Sequence, residues 1–231
     1  MAGGFGAFGK MPSAGDFFRL NPPAGFVSAW DGWVQQAMLE TQAALGPDWD
    51  GRYMSAPIWR FTLSPGLAGP QPAMGVLMPS VDRVGRRFPL TLMAAQPAAG
   101  SAAGAAADHL RAGPVFVALE DLALAALDDG MTRERLEQGL AGIVPPPAAP
   151  AVPLRQAAGC LILGGGGPAS LAADLPADLA GSLLADRYTA PSVWSAEFAA
   201  GPRLMICEGL PGPAQARALF DPSAPLWEAA G

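Results

Sequence analysis

The sequence has 231 residues, 51% of them hydrophobic and only 15% charged, which excludes a disordered chain, since such a chain lacks the apolar surface to offset the entropy of ordering. A formal net charge of −6 excludes nucleic acid as a natural partner, because affinity for phosphate backbones rests on Lys and Arg displacing counterions. One histidine and two cysteines without C-x-x-C spacing supply neither a metal-ligand set nor a disulfide framework, and Cys160 and Cys207 read as buried free thiols.

The chain opens without the basic start and apolar run of a signal peptide, and no stretch is long and apolar enough to span a bilayer. Both features point to the cytoplasm, with no direct membrane insertion. Residues 4–11 alternate aromatic and small side chains and predict a short buried strand. The spacing of Phe26, Trp30, Val34, Ala37, Met38 and Leu45 predicts a helix over 26–45, stopped by Gly46-Pro47. Residues 57–63, 74–78 and 88–93 read as strands, the last two joined as a hairpin through 79–87. After an Ala/Gly stretch over 94–107, helices are predicted over 115–127 and 132–140, and the proline run at 145–150 marks a surface linker extending to about 153. Beyond it come a strand at 159–163, a glycine run at 164–167, a helix at 170–184, strands at 192–196 and 203–207, and a helix at 213–220. Strands alternating with helices on both sides of the linker favour one α/β domain over 1–231, with helices on the faces of a sheet that the hairpin makes mixed.

Two glycine motifs invite a phosphate-binding reading. Gly4 to Lys10 fits G-x-G-x-x-G and the start of a P-loop, but three residues precede it, Pro12 follows it, and Met11 stands where a magnesium-holding hydroxyl belongs. The turn at 164–169 follows a strand and precedes a helix, and it carries the alternative reading of a nucleotide-binding protein or enzyme, although no acidic residue follows to hold a ribose. His109, in an Ala-rich segment without a G-x-S-x-G elbow, reads as a surface or helix-end side chain. No catalytic set and no cofactor is indicated. The loop at 79–89 differs, concentrating Asp82, Arg83, Arg86 and Arg87 in a sparingly charged chain; Asp82 or Asp16 pairing with Arg83 or Arg86 would lock it, or the arginines would face a partner. Trp30 and Trp59 read as core, while Trp33 fits either core or interface.

These features fall in order along the first hundred residues: GKMPSAGDF at 9–17, WDGW at 30–33, APIWRF at 56–61 and GVLMPSVDRVGRRFPL at 75–90. Looser matches follow at 191–194 and 208–211. The pattern resembles the TagF (ImpM) family of type VI secretion-associated proteins. That resemblance implies a three-layer αβα sandwich and a non-catalytic, cytoplasmic, post-translational repressor of type VI secretion. Its partner would be the forkhead-associated (Fha) scaffold or the membrane-anchored assembly. Candidate contact or loop-locking residues are Gly15, Asp16, Phe17, Trp33, Ser80, Asp82, Arg83, Arg86 and Arg87, with Trp30, Trp59, Arg60, Gly85 and Pro89 as structural positions. The segment 94–153 departs from the family pattern.

Overall fold

The computed structural model describes residues 4–96, 102–147, 154–158, 160–163 and 174–228. Strand β1 (Gly6–Gly9) pairs with β2 (Phe18–Leu20), and helix α1 (Phe26–Leu45) and the short α2 (Trp49–Ser55) follow. Next come β3 (Trp59–Leu63), β4 (Ala73–Met78) and β5 (Leu90–Ala95), then helices α3 (Ala102–Arg111), α4 (Gly113–Ala125) and α5 (Arg133–Ala141). A small hairpin of β6 (Leu154–Ala157) and β7 (Cys160–Leu163) precedes α6 (Asp174–Ala185), β8 (Pro191–Ala196), β9 (Arg203–Glu208) and α7 (Pro213–Phe220).

Seven strands form one sheet in the order β2-β1-β5-β4-β3-β8-β9. Its two faces bury two separate cores, as the period-two alternation of strand side chains requires. Trp59, Phe61 and Leu63 point to one face with Trp194 and Met93, under Phe26, Trp30 and Val34 of α1, Tyr53 of α2 and Leu219 of α7. Met74, Val76, Leu90 and Leu92 point to the other, under Phe116 and Leu119 of α4 and Leu136 of α5. The expected αβα sandwich is thus present. Its sheet is not mixed: every pairing in it is antiparallel, since the crossover from β5 to β8 brings the chain back antiparallel to β3 and the β8–β9 hairpin continues that sense to the edge.

The indoles of Trp30, Trp59 and Trp194, the largest fully buried side chains, are hydrogen-bonded, as the cost of an orphaned buried donor demands. Trp30 Nε1 donates to Thr91 Oγ1 at 2.9 Å and Trp59 Nε1 to the Leu219 carbonyl at 2.7 Å. Of the two cysteines, Cys207 is buried, and burial pushes its thiol up to about 11, whereas Cys160 is exposed rather than buried as expected. The linker is described only as far as Pro147, and the glycine turn at 164–169 lies outside the described residues.

Candidate functional site

The loop between β4 and β5 is organised by one carboxylate. Asp82 is buried, and its Oδ1 accepts the backbone N–H groups of Val84 (3.1 Å) and Arg86 (2.9 Å), while Oδ2 accepts Arg86 Nε at 2.6 Å and faces Lys10 Nζ at 3.1 Å. Burial raises its pKa, but the Arg86 N–H, the Lys10 ammonium, the Arg86 guanidinium and the Val84 N–H outweigh it and hold the carboxyl below the usual range. Gly85 supplies the left-handed corner at φ 81, donating to the Asp82 carbonyl at 2.8 Å.

A second loop is stapled to the first. Arg83 N donates to the Ala14 carbonyl at 2.9 Å, and Arg86 Nη2 to the Gly15 carbonyl at 2.8 Å, with Asp16 3.9 Å from the same guanidinium. Beneath both, the Tyr53 hydroxyl donates to the Ser80 carbonyl at 2.8 Å and accepts the Ser80 N–H at 3.0 Å, while burial raises the phenol's pKa. The result is a rigid platform with an outward tip. Val84 is 70% exposed and Phe17 45%, the latter lying edge-on to Phe88 at 4.7 Å under the Lys10 ammonium at 4.8 Å. Arg83 is exposed beside Gly15, with no carboxylate partner among the described residues, whereas Arg87 reaches Asp50 at 2.9 Å.

Gly15, Asp16, Phe17, Ser80, Asp82, Arg83, Gly85, Arg86 and Arg87 therefore converge, and buried Pro89 leads the loop into β5. Trp33 does not join them. Its Nε1 donates to the Pro211 carbonyl at 2.9 Å, and its ring packs on Trp30 and Trp194. Trp30 and Trp59 lie in the core, and Arg60 lies on the opposite face of the sheet, paired with Glu120 at 2.7 Å. Sequence reasoning overlooked Lys10 and Tyr53. Lys10 falls in the glycine motif and in the block at 9–17 without a role there; residues 6–9 form β1 inside the sheet, and the lysine is held by Asp82 rather than open to a phosphate.

His109 also sits elsewhere than expected. It is buried near the end of α3, its Nδ1 3.0 Å from Thr62 Oγ1 and its Nε2 2.8 Å from Ser195 Oγ. Burial, reinforced by the Arg60 charge, lowers its pKa to about 3, so the imidazole is neutral. The helix is Ala-rich, and the small side chains of Ala105, Ala106 and Ala107 are themselves buried.

Among the described residues no cluster of His, Cys, Asp and Glu is arranged to hold a metal, and no helix is long and apolar enough to cross a membrane. Comparison with curated proteins returned no match. Among solved structures, the chain is similar to PA0076 from Pseudomonas aeruginosa PAO1, with a TM-score of 0.74 and 30% identity over 95% of this chain and 94% of that one. Residues 6–143 match the family profile described as the TagF N-terminal domain, type VI secretion system-associated. The segment that builds the double-loop platform and most of the sheet is the one this profile spans, and the chain belongs to the TagF family of type VI secretion-associated proteins.

Proposed function

We propose that this chain, as a member of the TagF (ImpM) family, is a cytoplasmic post-translational repressor of type VI secretion, which works by binding protein rather than by catalysis. Its partner in this reading is the forkhead-associated scaffold or a component of the membrane assembly. The observation that carries the proposal is the tip of the double-loop platform. Arg83, Val84 and Phe17 stand outward on backbone fixed by Asp82, Arg86 and Tyr53. A cation flanked by two exposed apolar side chains on a pre-ordered loop loses little entropy on docking, which is how an interface anchor gains affinity. Family membership supplies the secretion context.

The test separates docking from loop locking. Arg83→Glu is expected to keep the parental melting temperature while abolishing co-purification of the Fha scaffold and the membrane components. Arg86→Ala, which unties Asp82 and the Gly15 carbonyl, is expected to lower the melting temperature. Retained capture by folded Arg83→Glu would remove the tip from the interface.

A further inference from the structure

A second site lies on the sheet face away from Trp30 and does not depend on the loop platform. There α3, the start of α4 and strands β3, β8 and β9 surround an open cavity of about 260 Å³, lined by Arg60, His109, Leu110, Phe116, Ser195 and Leu204 among others. Arg60 and Ser195 are register partners across the β3–β8 pair, so their side chains stand side by side on this face.

Hydrogen-bond bookkeeping fixes the polarity of the floor. Thr62 is buried, and among the described residues its hydroxyl has one partner, His109 Nδ1. A buried hydroxyl that left its proton unshared would bear a desolvation cost, so Thr62 donates and Nδ1 accepts. The neutral ring then carries its single proton on Nε2 and donates it to Ser195 Oγ at 2.8 Å. Two consequences follow for Ser195. Its oxygen receives a proton from the imidazole instead of losing one, the reverse of what an activated nucleophile needs. Its own O–H, with no acceptor among the described residues, is left for the cavity.

Arg60 adds charge beside this donor. Its Nε and Nη2 are committed to Glu120, but among the described residues Nη1 has only the exposed Glu197 carboxylate, at 3.6 Å and beyond direct hydrogen-bond reach. Around the polar floor the walls are apolar, with Phe116 below and the half-exposed Leu110 and Leu204 at the rim. We propose that the cavity binds a small organic acid. Its carboxylate accepts a hydrogen bond from the Ser195 hydroxyl and displaces Glu197 from Arg60 Nη1, and its hydrocarbon portion rests on Leu110, Phe116 and Leu204.

The full chain is titrated with hexanoate and benzoate, and with hexan-1-ol and benzamide as uncharged counterparts, by calorimetry and by thermal shift. Both acids are expected to bind saturably and raise the melting temperature by mass action, and the uncharged analogues to bind at least tenfold more weakly. Ser195→Ala, which leaves the buried His109 Nε2–H without its acceptor, is expected to melt somewhat below the parent while still unfolding cooperatively, and in its folded form to bind hexanoate about tenfold more weakly, the loss typical of a hydrogen bond to a charged group. Because the chain has one histidine, its ¹⁵N signals are unambiguous, and Nδ1 is expected to resonate as the unprotonated ring nitrogen. A proton on Nδ1, failure of either acid to bind, equal binding of hexan-1-ol, or unchanged affinity in Ser195→Ala would each overturn the proposal.

Discussion

His109 holds two hydrogen bonds in a site that admits no charge, and this sets a pH dependence on stability. Its pKa falls from an ordinary value near 6.5 to about 3 on folding. Between those limits the unfolded chain takes up a proton that the folded chain cannot, so the stability from this residue is complete above pH 6.5 and is lost as pH falls. Asp108 opposes the trend in part, since burial raises its pKa and favours proton uptake in the fold. Lowering the pH from 6.5 to 5, where most carboxylates stay ionised, is therefore expected to cost the parent about 2 kcal/mol more than a His109→Gln variant. Parallel thermal melts would measure this, and equal slopes would show that the ring is protonated in the folded chain. This residue was the least legible in the sequence. Nothing in the local string Asp108-His109-Leu110 reveals that Thr62 and Ser195, far away in the chain, will meet both ring nitrogens. The Asp82–Arg86 contact was easier to foresee, because both partners share one short loop.

At the scale of elements, a glycine in the middle of a strand decides how closely neighbouring strands and their side chains pack. Gly75 sits on β4 between Phe61 and Met93, its register partners on either side. An added Cβ would overlap the Leu92 carbonyl oxygen and stand 2.9 Å from both the Met93 Cα and the Phe61 ring. Gly75→Ala is expected to destabilise by about 3 kcal/mol through overpacking, roughly 6–12 °C in melting temperature. Gly32 on α1 has open space around its Cβ position, so Gly32→Ala is expected to stabilise by about 0.5–1 kcal/mol. The same packing logic explains which elements could be read in advance. Helix α1 and helix α7 begin and end where their apolar spacing and flanking Gly and Pro residues placed them. Helix α3 escaped notice because its buried face is made of alanines, which give no contrast between a polar and an apolar side. Strand β2, with three residues, and α2, with seven, are too short for periodicity to register.

For the whole molecule, the family profile ends at residue 143, but the sheet does not. Strand β8 pairs with β3, β9 completes that edge, and Trp59 is capped by the Leu219 carbonyl of α7 and by Trp227. A chain truncated after residue 143 would leave the backbone groups of β3 and the indole of Trp59 unpaired. Such a fragment is expected to lack the cooperative thermal transition of the full chain when followed by circular dichroism; a sharp two-state melt would show that the matched segment is self-sufficient. The β3–β8 junction also carries a cost during synthesis. The Ser64 hydroxyl and its Pro191 acceptor lie 127 residues apart in sequence, so at roughly 5–20 residues per second the nascent chain carries an open strand edge for on the order of ten seconds before its mate leaves the ribosome. Over that interval the half-built sheet is a template for any other extended segment nearby, and shielding by a chaperone matters most just then.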